Sequence, residues 1–256
     1  MDKASKTNLP FIVFRAFFLL SLLPCAAFAV FDGDWTRKIE ATALTRFMRH
    51  GVERADESFQ PGVWLASESL KLGAWANFPL SDTRSHELAL NAAYTHAFGD
   101  AGTTLTADVT HFHLRDARNG HPGHTAELTL ALAQPAGPGR VIVSVTRDVK
   151  READLGEIAY VGEWALRNWG AFLNYRFYVG SMSARDVLPN LPGAKIADAY
   201  TFHGVDLTLP YRIGGATVLT AGVHYAGTQG QRPFWSPINA RVGGKIWATL
   251  GATYEF

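Results

Sequence analysis

A transmembrane up-and-down β-barrel of about twelve antiparallel strands is the fold this sequence predicts, and three observations carry it. Segments alternate apolar and polar residues from position 40 to the terminal Phe256, the connections between them sort into short and long in turn, and no apolar run after residue 30 is long enough for a spanning helix. A mean hydropathy of -0.01 with 47% hydrophobic residues agrees with this. Strand side chains point to opposite faces with period two, so a barrel wall averages to neutral while a helical membrane protein does not.

The first segment predicts export. Lys3, Lys6 and Arg15 precede or interrupt the apolar run "FIVFRAFFLLSLL", and Ala27 and Ala29, on either side of Phe28, put small residues at a signal-peptidase site. Residues 1–29 read as a secretory signal peptide, and residues 30–256 as one outer-membrane β-barrel domain. Arg15 and Pro24 break the run, which argues against a membrane anchor. Cys25 is the only cysteine and lies inside the signal, with Pro24 where a lipoprotein signal needs a small residue. The exported chain then has neither disulfides nor a thiolate metal site. The 24 Lys and Arg residues less Lys3, Lys6 and Arg15 leave 21, and the 23 Asp and Glu residues less Asp2 leave 22. That balance excludes the basic surface of a nucleic-acid binder.

The strands are expected at 40–50, 59–67, 70–80, 86–97, 102–114, 123–134, 139–149, 156–166, 169–180, 198–210, 214–226 and 242–256. Tight connections fall near Glu68 and at 99–102, 134–139, 167–168 and 213–215. Longer ones fall at 52–58, 81–86, 115–124, 150–156, 181–199 and 227–243. The two sets interleave as short periplasmic turns and long extracellular loops do, with both termini periplasmic. The apolar "VLPNLPG" within 181–199 would either pack inward on the wall or stand outside as a mobile loop, the second being the usual fate.

One face of each segment is apolar: Leu88, Leu90, Ala92 and Tyr94; Ala126, Leu128, Leu130 and Leu132; Val141, Val143 and Val145; Ala171, Leu173, Tyr175 and Phe177. Aromatics such as Tyr94, Trp169, Phe177, Tyr225, Tyr254 and Phe256 gather toward strand ends, as in an interfacial girdle. The expected partners are outer-membrane lipids and lipopolysaccharide. The closing strand, ending on Tyr254 and Phe256, resembles the signature read by bacterial barrel-assembly machinery.

The stretch "LTRFMRHGVERADESFQPGVWLASESLKLGAWANFPL" at 44–80, followed by "HELALNAAYTHAF" and "HTAELTLAL", resembles the TorF-like family of bacterial outer-membrane porins. Thr45, Arg46 and Phe47 with His50 and Gly51 match its opening motif, Gly73 to Asn77 its hairpin, and Glu87 the acidic residue opening the next strand. His50 stands where the family pattern has Arg. The likeness covers the first third of the exported chain by residues and the rest by strand rhythm. It implies a bacterial outer-membrane channel.

The opposite faces carry the polar residues: Arg46, Lys71, Glu87, Asn91, Asp108, Glu127, Arg140, Asp148, Glu157, Glu163, Asn174, Arg176, Asp206, His224, Lys245 and Glu255. A closed barrel in lipid must turn such residues inward. Arg46, Asp108, Glu127, Glu163, Arg176, Asp206 and Lys245 are the residues expected to line a pore for small hydrophilic solutes. Carboxylates outnumber cations there, which predicts a weak cation preference if the lumen is open. If the charges pair across the interior, they close it instead, and the barrel would act through its extracellular loops.

Two further chemistries have candidate residues in the sequence. His111, His113 and His124 would share one hairpin face, with His121 in its loop, and neutral imidazoles so placed are candidate zinc or copper ligands. A lipid-modifying enzyme would need a pair such as Ser144 with His111 or His113, and G-x-S-x-G, H-E-x-x-H and Gly-rich phosphate loops are missing from the sequence. No catalytic residue and no cofactor follow from the sequence.

Overall fold

The computed structural model describes residues 35–80, 86–99, 101–115, 123–150, 152–167, 170–187, 195–230 and 244–256. The signal-peptide reading, Trp169 and His121 fall outside these residues.

Fourteen strands follow in chain order: β1 (Thr36–Leu44), β2 (Phe47–Arg49), β3 (Val52–Ala55), β4 (Ser58–Ala66), β5 (Leu70–Pro79), β6 (His86–Phe98), β7 (Thr103–Arg115), β8 (His124–Ala136), β9 (Gly139–Asp148), β10 (Ala153–Leu166), β11 (Ala171–Val187), β12 (Lys195–Ile213), β13 (Thr217–Gly230) and β14 (Lys245–Glu255). Twelve of them close into one antiparallel barrel, and β2 and β3 form a separate two-stranded sheet. From β4 to β14 each barrel strand pairs with its neighbour in sequence. β1 completes the ring by pairing with β4, from Thr36↔Ala66 to Leu44↔Ser58, and with β14, from Lys38↔Glu255 to Leu44↔Thr249. Closure gives every barrel strand a partner on both sides, which removes the main aggregation hazard of a sheet this large.

The two faces follow the alternation in the sequence. On β8, Leu128, Leu130 and Leu132 point out while Thr125 and Glu127 are buried. On β6, Leu88, Leu90 and Tyr94 point out while Glu87 and Ala89 are buried. The inside is therefore polar, and hydrogen bonds run across it from strand to strand: Gln60 to Asn77 at 2.9 Å, Thr125 to Asp148 at 2.5 Å, and Thr129 to Thr146 at 2.8 Å. Such pairing offsets the cost of taking these groups out of bulk water.

Five short connections, β4–β5, β6–β7, β8–β9, β10–β11 and β12–β13, lie at one end of the barrel, and the short β9–β10 connection lies at the other. Gly99, Gly102, Gly137, Gly170 and Gly214 turn the chain at the first of these ends with φ between 55° and 71°, a region that L side chains rarely adopt. Both chain ends of the barrel reach the same end, where the Phe256 N–H donates to the Arg37 carbonyl at 3.0 Å and the Glu255 N–H to Ala216 at 2.9 Å.

Four boundaries differ from the sequence reading. The first barrel strand stops at Leu44 instead of continuing to 50. The long loop expected at 150–156 is a four-residue connection, because β10 begins at Ala153 directly beside Asp148 of β9. Most of the segment 181–199, read as a loop, is strand, with pairs from Ser181↔Thr201 to Val187↔Lys195. Met182 is buried and Ser181 and Ser183 are exposed, so the period of two runs on past position 180. The "VLPNLPG" stretch itself lies, apart from Val187, outside the described residues. The loop expected at 227–243 is likewise shortened, since β13 runs to Gly230.

Candidate functional site

The chain between β1 and β4 does not project from the barrel; it turns back into it. β2 and β3 pair antiparallel, Met48↔Glu53 and Arg49↔Val52, around the two-residue loop His50–Gly51. Both loop residues have positive φ, 50° and 74°. This is the requirement of a type I′ turn, whose twist matches that of the strands it joins. Gly51 meets it without strain; His50 is held in a conformation that costs on the order of 1–3 kcal/mol for a non-glycine residue.

Three sets of contacts clamp this hairpin in the half of the lumen nearer the longer connections. At its tip, the Tyr200 hydroxyl donates to the His50 carbonyl at 3.1 Å. A Cβ at Gly51 would stand 2.6 Å from the Cβ of Phe202 and 2.8 Å from Cγ2 of Thr228, so the turn approaches the wall as only glycine can. Val52 packs beside it into a buried cluster with Ala153, Leu155, Met182, Tyr200 and Phe202. On the β6–β8 side, Arg49 meets Glu127 at 2.6 Å and Glu87 at 4.0 Å, and Arg54 meets Glu87 at 3.0 Å. The Arg49 guanidinium also lies 3.8 Å over the Phe112 ring, which contacts Trp75 edge to face, as Trp75 in turn contacts Phe47. On the β14 side, Arg46 pairs with Glu53 at 3.3 Å and donates to the Ile246 carbonyl at 3.1 Å, and Lys245 reaches Glu53 at 3.8 Å.

A second network covers the facing wall across five consecutive strands. Glu157 on β10 accepts from Arg176 on β11 at 2.5 Å, and Arg176 donates to Asp206 on β12 at 3.2 Å. Asp206 bonds Nδ1 of His224 on β13 at 2.8 Å, and Nε2 of His224 bonds Thr249 on β14 at 2.9 Å. Trp247 stacks on the imidazole at 5.1 Å and 13°. Gly222 makes room for the contact, since a Cβ there would sit 2.4 Å from the Thr249 hydroxyl and 2.6 Å from Nε2 of His224. Between this wall and the hairpin lies a cavity of about 340 Å³, lined by Arg49, His50, Ser144, Glu157, Arg176 and Trp247 among others. Charge of both signs faces it. Such a space can hold water and small polar solutes, and fixed charges at its edge act on ions that enter.

The residues singled out in the sequence fall as follows. Asp108 and Glu127 lie on the inward faces of β7 and β8; Asp108 accepts from Asn91 and from Thr110. Arg176 and Asp206 belong to the wall network. Glu163 keeps the parity of Glu157 and the buried Ala159, pairs with Asn174 in register and is exposed toward the short-turn end. Lys245 opens β14, whereas Arg46 is in the link to the hairpin and reaches the lumen from there. Arg49, Glu53 and Arg54 complete the ion pairs and were not singled out. The signal for them is present in "FMR-HG-VERA", two short alternating runs separated by two residues, which is a hairpin pattern.

His111, His113 and His124 are exposed on the outward face, with His113 and His124 directly paired in register. Ser144 is on the inward face of β9. The barrel wall therefore separates Ser144 from His111 and His113, and the serine–histidine pair considered for an enzyme is not formed.

The fold and its filled interior define the class: an antiparallel up-and-down β-barrel with a hairpin folded into the lumen. The barrel fold is similar to that of an outer membrane channel from Pseudomonas putida F1, 11% identical, with 89% of this chain and 100% of that one covered at a TM-score of 0.53. The chain aligns less well with the Acinetobacter baumannii outer membrane protein Omp33, at 10% identity, 87% and 98% coverage and a TM-score of 0.44. For the Pseudomonas aeruginosa outer membrane protein OprD the figures are 13%, 88% and 66%, and 0.38. No protein-family model and no curated protein matches the chain.

Proposed function

We propose that this protein is an outer-membrane channel, passive and selective for small hydrophilic solutes, whose constriction is the inward hairpin β2–β3. The observation that carries the reading is the combination of a charged, hairpin-narrowed lumen with an outer surface of aliphatic side chains left uncovered, among them Leu130 at 52%, Val145 at 58% and Ile246 at 69% exposure. In water such a belt would drive association; in hydrocarbon it is satisfied. The aromatic strand ends, the sorting of connections and the likeness to a solved outer membrane channel support the same reading.

In this reading residues 1–29 direct export and are removed, and the short-turn end with both termini faces the periplasm. Tyr254 and Phe256 present the closing strand to the assembly machinery, and lipopolysaccharide surrounds the long-connection end. The TorF-like resemblance of residues 44–80 fits this role. The cation preference is weak because the hairpin adds Arg49 and Arg54 opposite Glu127 and Glu87, which offsets much of the inward carboxylate excess.

A second reading has a specific observation behind it. The same clamp pairs charge across the interior, as expected of a closed barrel that acts through its loops. Single-channel recording of the refolded protein in planar bilayers under asymmetric salt separates the two. Discrete openings with a small reversal potential of the sign for cations support the channel. Protein that is folded and inserted but electrically silent supports the closed barrel.

A further inference from the structure

The geometry points to a site for one divalent transition-metal ion on the outward face of the β7–β8 hairpin, held by imidazole nitrogens of His111, His113 and His124. The strand register decides which side chains can meet. The Leu114 N–H donates to the Gly123 carbonyl at 2.8 Å, so 114 and 123 are a hydrogen-bonded pair. His113 and His124, one step further in, are then a non-hydrogen-bonded pair, the kind whose side chains stand closest, with Cβ atoms about 4.5–5.5 Å apart. His111 is two residues along the same strand on the same face, diagonal to His124.

The rings of His111 and His124 already lie 6.1 Å apart at 34°. Two imidazoles sharing one tetrahedral ion, with N–metal bonds near 2.0–2.1 Å, have ring centres roughly 5–6 Å apart, so a small adjustment of these two suffices. Among the described residues no three ligand-type side chains are yet arranged around one point. His113 completes the set by changing rotamer. It is exposed and free to do so, and staggered wells differ little in energy at an open site.

Three neutral nitrogen donors select zinc, copper or nickel over magnesium or calcium, with copper the tightest of the divalent series. The remaining coordination positions face outward. The site lies just beyond the last aliphatic residues of its strands, Val109 on β7 and Leu128 on β8, so it is at the margin of the apolar belt rather than inside it. A bound ion cross-ties the two strands beside the connection that joins them and so stabilises the folded barrel as its occupancy rises.

Untagged refolded protein in detergent micelles, titrated with Cu(II) and with Zn(II), tests this. One equivalent should bind, the copper form should show nitrogen couplings in its electron paramagnetic resonance spectrum, and the unfolding midpoint should rise with added metal. The double variant His111→Ala/His124→Ala should lose all three signals. His113→Ala should weaken binding at least tenfold, and His96→Ala, at an exposed histidine toward the other end, should change nothing. Heat-modifiable migration on gels establishes that each variant is folded. Absence of binding to the folded wild-type protein, or binding that survives in the double variant, would overturn the assignment. Equal loss in His96→Ala would overturn it too, because it would show scattered surface binding.

Discussion

At Arg49 a single guanidinium meets Glu127 at 2.6 Å, Glu87 at 4.0 Å and the face of Phe112 at 3.8 Å. Glu87 is 4% exposed and Glu127 9%; removing Arg49 takes the shortest ion pair from the buried Glu127, while Glu87 keeps Arg54. Breaking such a pair typically costs about 3–5 kcal/mol, while replacing both partners costs far less. Arg49→Ala should therefore lower the urea unfolding midpoint sharply, and Arg49→Met/Glu127→Gln should recover most of the loss. A double variant as unstable as the single one would show that the hairpin is held by something else. The exposed pair Arg147–Asp154, 2.8 Å apart on the outside, makes the contrast: its side chains are 45% and 65% exposed. Solvent screens it, and Asp154→Ala should leave the unfolding midpoint nearly unchanged in the same titration. At Gly51 a side chain must find room against Phe202 and Thr228 at positive φ. Gly51→Val should destabilise by roughly 1–3 kcal/mol in backbone strain alone, with the steric term added, and should push the hairpin off the wall. At this scale the sequence read well wherever strand parity applied, because the pleat alone sends Asp108, Glu127, Arg176 and Asp206 to one face. It failed at Arg49 and Arg54, whose direction depends on where the hairpin goes, and parity within a strand does not carry that information.

The elements show where local signals compete. Residues 40–50 alternate continuously enough to read as one strand, yet β1 stops at Leu44. Beyond it, Thr45 still exchanges bonds with Ala248, its N–H donating to the carbonyl at 3.1 Å and its hydroxyl accepting from the amide at 3.0 Å. The chain then leaves the wall. What pulls it inward is tertiary: the apolar cluster around Phe202 and the carboxylates of β6 and β8 offer partners that solvent at the rim does not. The opposite error occurred at 150–156 and 181–199, where polar residues and prolines suggested loops. Strand pairing extends through most of both segments, because barrel strands project past the apolar belt and need not be apolar there. The hairpin is an addition to the barrel rather than part of its ring, since β1 already pairs with β4 over its whole length. Replacing residues 46–56 by a short turn should therefore leave a folded, heat-modifiable barrel. Loss of folding in that variant would mean that the plug is needed to assemble the ring.

At the scale of the whole molecule, the twelve-stranded closure, its antiparallel order and the gathering of short turns at one end were legible from alternation and connection length. Those are periodic features repeated twelve times, so single errors in boundary average out. The state of the lumen was not legible, because the width of a barrel of this size leaves it open or closed according to what enters it. In the proposed reading one insertion, β2–β3, decides it. The measurement that tests this most directly is single-channel conductance of the refolded wild-type protein beside the variant lacking residues 46–56, in the same bilayers and salt. The account predicts small discrete openings for the wild type and conductance several-fold larger for the variant. Equal conductance in the two proteins would contradict it, since the hairpin would then not be the constriction.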